Sequence, residues 1–319
     1  MRLYVVTGGA GFIGSHLVTA LVERGDRVRV LDDFSSGRLE NLAALTVGPP
    51  GSGAPVELVR GSVTQAPAVR AACRGAAGVF HEAAQVSVPA SVRDPETSYA
   101  INVMGTLQVL EACRAEGVPR VVFAASSAAY GDDPTLPKVE SLPPRPLSPY
   151  ASGKLAGEAL LSVWGRVWGL HTVALRYFNV YGPGQSDDSP YSGVIALFAR
   201  AVLARQAATI FGDGEQTRDF VFVDDVVRVN LLAMESDLEP GAVLNVGTGR
   251  RVSINELYRR MAELAGSTVE ARRQPARAGD VPHSVASVER ARALLGFEAR
   301  TELGAGLERT LAWYREGAR

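Results

Sequence analysis

Tyr150 and Lys154 lie four positions apart in the segment SPYASGK (148–154). A spacing of four places both side chains on one face of a helix. The chain has two lysines against 31 arginines, so an ammonium group is unusual for this composition. Lysine carries a compact charge on a flexible stem, whereas guanidinium is a broad planar fork. The pair is therefore a candidate acid–base couple, and the alternative is two amphipathic side chains on a solvated helix face.

A glycine-rich segment, TGGAGFIG (7–14), follows an apolar run and opens an amphipathic one. Glycines at 8, 11 and 14 allow a tight turn, close approach to a pyrophosphate and close helix packing. The free N–H groups of the following helix favour phosphate. Asp32 ends the next apolar run, where a carboxylate accepts ribose hydroxyls and repels a 2′-phosphate. The sequence thus predicts a dinucleotide site that prefers NAD to NADP; the alternative for Asp32 is a turn residue.

The elements that must position these residues alternate along the chain. Short runs rich in Val and Leu predict strands at 3–7, 28–32, 57–60, 78–81, 121–125 and 172–176. Longer amphipathic segments predict helices at 13–23, 67–73, 95–116 and 149–168. This alternation is typical of an α/β fold, a Rossmann-type doubly wound parallel sheet covered by helices on both faces. A turn-rich surface loop is predicted at 47–55.

After residue 177 the alternation becomes irregular, which predicts a second, smaller C-terminal α/β substrate lobe. We place the first domain at 1–178, with 220–249 returning to it and a helix beginning at 224. The second lobe then comprises 179–219 and 250–319. The sequence contains no apparent internal repeat.

Composition excludes several classes of protein. The 34 acidic and 33 basic residues nearly cancel, so nothing resembles the basic surface of a nucleic-acid-binding protein. The sequence has no apolar run of membrane-spanning length and no apparent signal peptide. The two cysteines and four histidines have no metal-ligand spacing. We expect a cytoplasmic enzyme that binds neither metal, membrane nor nucleic acid.

The residues also match a known family over essentially the whole chain. The chain resembles the extended short-chain dehydrogenase/reductases, within them the NAD-dependent nucleotide-sugar epimerase/dehydratase group, and most closely the UDP-hexose 4-epimerases. The segments that carry the resemblance include TGGAGFIGSHL (7–17), LDDFSSGRLENL (31–42), HEAAQVSV (81–88), SSAAYGD (126–132), SPYASGK (148–154), RYFNVYGPGQ (176–185), FGDGEQTRDFVFVDDV (211–226), NVGTG (245–249) and RAGDVPHS (277–284).

This resemblance implies roles for the catalytic residues. Tyr150 would be the acid–base group and Lys154 its electrostatic partner, which also bonds the nicotinamide ribose. The ammonium and the positive nicotinamide ring would lower the pKa of Tyr150. Ser126 would bond the reacting sugar oxygen, with its neighbour Ser127 as the competing candidate.

The resemblance also implies the binding residues. NAD would be bound by Gly8, Gly11, Phe12, Ile13, Asp32, Asp33, Ser36, Gly37, Ser62, Val63, Ala83, Ala84, Gln85, Asn102, Tyr150, Lys154 and Tyr177. A UDP-sugar substrate would be bound by Ser87, Ser126, Tyr150, Asn179, Val194, Phe211, Arg218, Arg277, Asp280 and Ser284. Two positions depart from the family: Ser62 replaces a common Asp, and Glu82 replaces a residue that is usually apolar. A homodimer is implied through the helices at 95–116 and 149–168.

The reaction itself depends on the neighbours of Ser126. Dehydratases of this group carry an Asp–Glu pair directly after the active-site residue, and related decarboxylases a carboxylate at the second position. Here these positions are Ser127 and Ala128, which favours 4-epimerisation. A UDP-glucuronate 4-epimerase, a 4,6-dehydratase and a non-catalytic NAD-binding regulator are the competing interpretations of the chain.

The width of the substrate site depends on Ser284. This residue aligns with a position where a bulky Tyr restricts the hexose 2-substituent in some epimerases. UDP-glucose/UDP-galactose and their N-acetylamino counterparts are therefore both expected as substrates. The alternative for Ser284 is an ordinary loop residue.

Overall fold

Strands and helices alternate along the chain, as the sequence predicts. A computed structural model describes residues 1–186, 193–276 and 281–317. The strands are β1 (Leu3–Thr7), β2 (Arg27–Asp32), β3 (Val47–Gly48), β4 (Val56–Arg60), β5 (Gly78–His81), β6 (Arg120–Ser126), β7 (His171–Tyr177), β8 (Asn179–Tyr181), β9 (Thr209–Phe211), β10 (Thr217–Arg218), β11 (Phe220–Phe222), β12 (Ala242–Val246), β13 (Val252–Ser253) and β14 (Arg272–Gln274). The helices are α1 (Phe12–Glu23), α2 (Ala66–Cys73), α3 (Val88–Arg93), α4 (Pro95–Tyr99), α5 (Thr106–Glu116), α6 (Pro149–Trp168), α7 (Val194–Leu203), α8 (Val223–Glu235), α9 (Ile254–Ala265), α10 (Glu289–Leu295) and α11 (Leu303–Gly317).

Eight strands form one sheet in the order β12-β7-β6-β5-β1-β2-β4-β3. Parallel pairing runs from β6 across to β3. The strand order reverses at β1, with β2 on one side and β5 on the other. A reversal of this kind opens a crevice at the carboxyl ends of the strands, where doubly wound folds bind dinucleotides. The predicted Rossmann-type fold is confirmed.

The central strands are apolar on both faces because helices cover both. In β1, every residue from Tyr4 to Thr7 is buried. In β6, the run from Val121 to Ser126 is buried as well. Such continuous burial is typical of parallel strands with helices on both faces. It fixes the carboxyl ends of β1 and β6, from which the candidate site residues emerge.

The structure corrects some predicted bounds. The predicted helix at 95–116 consists of α4, a π-helical turn at Ala100–Gly105, and α5. The predicted loop at 47–55 contains the short strand β3, which pairs with β4. The expected return to the sheet occurs through β12, which lies beside β7.

The chain divides by packing into two compact units. The first comprises Met1–Gly131, Pro143–Arg176 and Val227–Leu244. The second comprises Asp132–Leu142, Tyr177–Val226 and Asn245–Arg319. The assignment of NAD to one lobe and of the substrate to the other stays a prediction.

The described residues contain two cysteines, which are buried in the core of the first unit. Cys73 on α2 and Cys113 on α5 are free and buried. A hydrogen bond with Cys73, together with burial, raises the pKa of the Cys113 thiol. In the described ranges, no helix is long and apolar enough to cross a membrane, and no cluster of three or more His, Cys, Asp or Glu residues is arranged to hold a metal ion.

Candidate active site

The glycine turn between β1 and α1 is built by close backbone contacts. Gly8 has φ +68°, and a Cβ there would lie 2.8 Å from the Ala83 nitrogen. A Cβ at Gly14 would lie 2.1 Å from the Gly8 carbonyl oxygen. Gly11 caps α1 without a side-chain hydrogen bond, which leaves N–H groups of the first turn for an anion. Side chains at Gly8 or Gly14 would disrupt this turn, so the residues present fit a dinucleotide pyrophosphate.

Asp32 lies at the carboxyl end of β2, next to this turn. Its carboxylate accepts hydrogen bonds from the backbone nitrogens of Ala10 (2.9 Å) and Phe34 (2.8 Å). Burial raises the pKa of Asp32, although these hydrogen bonds act in the opposite direction. A Cβ at Gly37 would lie 2.9 Å from both carboxylate oxygens. This is the position where dinucleotide-binding folds place the acidic residue that binds ribose.

Asp33 and Ser62 are brought together at the ends of β2 and β4. Although burial acts against it, hydrogen bonds from Ser35 and Ser62 lower the pKa of Asp33. The Ser62 hydroxyl also receives hydrogen bonds from the backbone and side chain of Thr64. Ser62 thus retains a polar role at the position where the family commonly has Asp.

A buried chain of hydrogen bonds fixes the loop after β5. Thr7 Oγ1 lies 2.7 Å from His81 Nδ1 and accepts from the Ala83 nitrogen (3.2 Å); it donates to Nδ1, because the neutral ring carries its proton on Nε2. Thr106 Oγ1 donates to the Asn102 carbonyl (2.7 Å), so it accepts from His81 Nε2 (3.1 Å). Burial and the charge of Lys154 lower the pKa of His81 to about 3, and the imidazole stays neutral.

Asn102 ties the same loop to the π-helical turn. Its Oδ1 accepts from the Gln85 nitrogen (3.0 Å), and its Nδ2 donates to the Gln85 carbonyl (3.1 Å). Local π-helical turns occur often at functional sites. Here the turn presents a buried amide to the segment that contains Ala83, Ala84 and Gln85.

Ser126 and Tyr150 meet at the carboxyl end of β6. Tyr150 is partly buried in the first turn of α6, and its phenol hydrogen-bonds with Ser126. Burial raises the pKa of Tyr150, and the bond with Ser126 lowers it in part. The expectation that Lys154 and a bound nicotinamide ring together lower this pKa concerns the enzyme with its cofactor and stays a prediction. This contact favours Ser126 over Ser127 as the partner of the phenol.

Lys154 is 2% exposed, one helical turn after Tyr150. Its Nζ donates to the Ala124 carbonyl oxygen (2.7 Å) and lies 4.9 Å from the centre of the Phe123 ring. Burial lowers the pKa of Lys154 to about 8, against the charge of Glu82, which raises it. Glu82, the unusual acid in this sequence, therefore acts as a counter-charge to Lys154.

In the second unit, two pairs of predicted substrate residues come together. Asn179 and Val194 line a cavity of about 70 Å³. Arg218 donates to the Thr217 and Pro282 carbonyls, and the Ser284 nitrogen donates to the Thr217 carbonyl. Phe211 is partly buried at the end of β9. Arg277 and Asp280 lie outside the described residues.

The remaining predicted residues occupy element ends. Phe12 and Ile13 begin α1, Ser87 caps α3 by accepting from the Ala90 nitrogen, and Tyr177 ends β7. Ser36 is exposed beside Gly37, and Val63 is buried against Gly105.

Sequence reasoning missed a buried acid in the second unit. Asp219 is fully buried and accepts from Thr248 Oγ1 (2.7 Å) and from the nitrogens of Thr248, Gly249 and Ala286. Its own carbonyl accepts from the Asn179 nitrogen and Nδ2. Its place directly after Arg218, within the RDF motif, was the available signal.

The fold and the residues at its crevice define a dinucleotide-binding enzyme with a tyrosine and a buried lysine on one face of α6. The model of the NAD dependent epimerase/dehydratase family matches residues 4–247. The chain is 40% identical to the UDP-glucose 4-epimerase of Mycolicibacterium smegmatis, over 98% of both chains. These matches extend over most of the chain.

Solved structures agree with this relationship. A UDP-glucose 4-epimerase from Thermotoga maritima, with UDP-glucose, is 38% identical and superposes with a TM-score of 0.93 over 99% of this chain and 100% of the other. A UDP-N-acetylglucosamine 4-epimerase from Methanobrevibacter ruminantium M1, with UDP-N-acetylmuramic acid, is 35% identical with a TM-score of 0.92 over 99% of each chain. The chain belongs to the NAD dependent epimerase/dehydratase family. It is an isomerase, and its cofactor is NAD.

Proposed function

We propose that this enzyme interconverts UDP-hexoses that are epimeric at C4, with UDP-glucose and UDP-galactose as one substrate pair. The observation that carries the proposal is the contact between Tyr150 and Ser126, beside a buried Lys154 on the same helix face. A phenol and a hydroxyl are hydrogen-bonded at the carboxyl end of β6, and an ammonium group on the same helix face bonds the Ala124 carbonyl of that strand. The relatives named UDP-glucose 4-epimerase support the same reaction.

Each residue has a defined task in this reaction. NAD, when bound in the crevice, would supply the acceptor and later the donor of the C4 hydride. Tyr150 removes the proton of the C4 hydroxyl and later gives it back, while Ser126 bonds the C4 oxygen. The Lys154 ammonium stabilises the Tyr150 phenolate electrostatically. The glycine turn and Asp32 hold the pyrophosphate and the adenosine ribose.

The residues after Ser126 favour epimerisation over elimination. Loss of water from the 4-keto sugar needs an acid and a base next to the ring, and decarboxylation also uses a carboxylate there in this family. Ser127 and Ala128 supply no carboxylate. A 4-keto sugar that is not diverted in this way would rotate in the site and be reduced again at C4 from its opposite face, which gives the C4 epimer.

The substrate range extends to the N-acetylamino sugars in this proposal. Ser284 is small and partly buried, and its backbone lies beside Thr217, next to Arg218. A small side chain leaves room for a 2-acetamido group where a Tyr would exclude it. The related UDP-N-acetylglucosamine 4-epimerase supports this breadth.

A substrate panel tests both parts of the proposal. Purified enzyme without added NAD is incubated with UDP-glucose, UDP-galactose and both N-acetylated counterparts, and products are separated by chromatography with mass detection. We expect isomers of unchanged mass, and Tyr150→Phe, with its NAD still bound, should lower the rate by about 10²–10⁴-fold. A product that has lost water or carbon dioxide contradicts epimerisation. If Ser284→Tyr leaves turnover of the acetylated pair at the wild-type level, the gating role is wrong.

We also propose that the enzyme is a homodimer. Val163 and Val167 on α6 are 46% and 63% exposed, and Met104 in the π-helical turn is 49% exposed. Contiguous exposed apolar side chains mark protein–protein interfaces. A second copy of this chain, packed helix against helix, would bury them.

A further inference from the structure

Glu158 and Arg176 form a buried ion pair further along the face of α6 that carries Tyr150 and Lys154. Arg176 Nε and Nη2 donate to Glu158 Oε1 and Oε2 at 2.8 and 2.7 Å. The side chains of Arg176 and Glu158 are 5% and 6% exposed. The two parallel bonds fix the direction of the guanidinium as well as its distance. Glu158 lies on α6 and Arg176 on β7, so the pair fixes the position of α6 relative to the sheet.

Glu158 continues the stripe of Tyr150 and Lys154 at intervals of four residues. Residues at this spacing share one helix face, and the stripe faces β6 and β7. Gly157 brings α6 close to the sheet, because a Cβ there would lie 2.5 Å from Cζ of Phe123. The ion pair therefore acts on a helix that lies unusually near its strands.

Arg176 also contacts the segment that follows Ser126. Its guanidinium carbon lies 4.7 Å from the centre of the Tyr130 ring, and the two side chains are hydrogen-bonded. Tyr130 is 1% exposed and ends a 3-10 turn that begins at Ser127. One guanidinium thus joins α6, which carries Tyr150 and Lys154, to the turn directly after Ser126.

We infer that Glu158, Arg176 and Tyr130 form a positioning clamp that sets the distance between Ser126 and Tyr150. The inference deepens the proposed function and rests on it. All three side chains are buried, so they act through the elements that they join. A change of 1 Å in the placement of a reacting group costs about 10²-fold in rate.

The test replaces both charges together, by Glu158→Met/Arg176→Met. Removal of one partner would leave a buried unpaired charge, whereas apolar replacement of both is often neutral for stability. We expect kcat to fall at least tenfold, and up to about 10²-fold, with KM and NAD content unchanged. The rise of kcat with pH should move to higher pH, because a looser contact with Ser126 lowers the Tyr150 pKa less. Wild-type kcat and pH profile in the folded double variant would overturn the inference.

A control variant removes another ion pair of the first unit, whose acid, Glu57, also pairs with Arg27 at 2.6 Å; Arg27 is 32% exposed and so keeps contact with water. Arg29 and Glu57 form an ion pair at 2.8 Å between β2 and β4, with side chains 13% and 2% exposed. Arg29→Met/Glu57→Met should keep the wild-type kcat and pH profile. An equal fall of kcat in this control would overturn the inference, since it would mean general loosening of the fold.

Two further measurements keep the inference testable on its own. Arg176→Lys keeps the charge without the planar fork, and its kcat should lie between wild type and the double variant; wild-type kcat there contradicts the clamp, even if the double variant does not fold.

Ultraviolet titration, with Tyr150→Phe subtracted in each background, follows the Tyr150 phenol directly. The midpoint of the Tyr150 titration should shift to higher pH in the double variant, and an unchanged midpoint would contradict the clamp. This readout does not depend on turnover, so failure of the epimerase proposal is distinguishable from failure of the clamp.

Discussion

At the scale of single residues, Lys154 shows how the site opposes the stability of the fold. Its ammonium is buried beside Phe123, and its pKa falls from 10.5 to about 8. Burial penalises the charged form of a lysine in the folded protein. The buried ammonium therefore destabilises the folded protein at a residue that we propose to act in catalysis.

Lys154→Met should therefore be inactive yet more stable than wild type at neutral pH. The folded-state pKa lies below the unfolded one, so the penalty is complete below pH 8 and disappears as the pH rises to 10.5. The gain in the free energy of unfolding is about 3 kcal/mol at most. Urea denaturation at pH 7, 8, 9 and 10 measures it, with Tyr150→Phe as the inactive control that keeps Lys154. A gain that does not shrink between pH 8 and 10 contradicts this explanation.

Gly14→Ala should disrupt the cofactor turn. The new Cβ would lie 2.1 Å from the Gly8 carbonyl oxygen, and that backbone is held by the turn itself. Overpacking of this kind costs about 1–3 kcal/mol, and purified protein should lose bound NAD. Absorbance after acid release measures the NAD content. Gly304→Ala is the control, since a Cβ there meets nothing within 4 Å; wild-type NAD content in Gly14→Ala would show that the turn adapts.

The residues that could be predicted at this scale have local signatures. The roles of Tyr150 and Lys154 come from the family resemblance. Their candidacy follows from their spacing, and that of the glycines from their place between a strand and a helix. The direction of the Tyr150 pKa does not follow from spacing, because it depends on how far the fold removes the phenol from water. Asp219 and Arg176 gain their roles from partners 29 and 18 residues away in sequence, at Thr248 and Glu158.

At the scale of elements, the first turn of α6 is satisfied by two serines. Ser148 accepts from the Ala151 nitrogen (3.1 Å) as the N-cap. Ser91, buried on α3, accepts from the Tyr150 nitrogen (3.2 Å). The N–H groups of a first helical turn have no partner within the helix, so α3 completes the start of α6.

Ser91→Ala should leave the partly buried Tyr150 N–H without an acceptor. An unsatisfied buried donor costs about 1–3 kcal/mol, and the loosened first turn should also lower kcat. Denaturant unfolding and steady-state rates measure the two effects. Ser253→Ala removes the cap of α9 in the other unit, where Ser253 accepts from the Glu256 nitrogen; it should lower stability without changing kcat. Equal kcat in both variants would refute a role for Ser91 at Tyr150.

Element type was predictable from periodicity, and local irregularity was not. The segment 95–116 reads as one helix because a single π-helical turn barely disturbs the apolar spacing. Within the turn, Asn102 makes two hydrogen bonds with the backbone of Gln85, 17 residues away in sequence. Such a partner is visible only in the folded chain.

At the scale of the whole molecule, the exposed face of α6 predicts self-association. Val163→Glu/Val167→Glu should convert a dimer to monomers, since charges on a buried apolar interface are costly without partners. Sedimentation velocity measures the mass. Arg166→Glu, a change on the same helix at a polar position, is the control for charge alone. A wild-type protein that sediments as a monomer contradicts the proposed dimer.

The alternation of strands and helices predicted the doubly wound sheet, because each element carries its own period. Assignment of residues 132–142 to the second unit was not predictable in this way. That segment is held by the Lys138 carbonyl, which accepts from Asn245 Nδ2 at 2.8 Å across 107 positions of sequence. Contacts between residues so far apart in sequence are not reflected in its hydrophobic periodicity.

Both lysines of this chain are buried: Lys154 is 2% exposed in the first unit, and Lys138 is 1% exposed in the second. Apart from the amino terminus, the folded surface thus offers no primary amine to acylating reagents or amine-directed crosslinkers. Each unit thus contains one buried lysine amine, and a reagent can modify it only when that unit opens. Labelling with an activated ester, followed by peptide mass analysis, would report the opening of the two units separately, without any engineered probe.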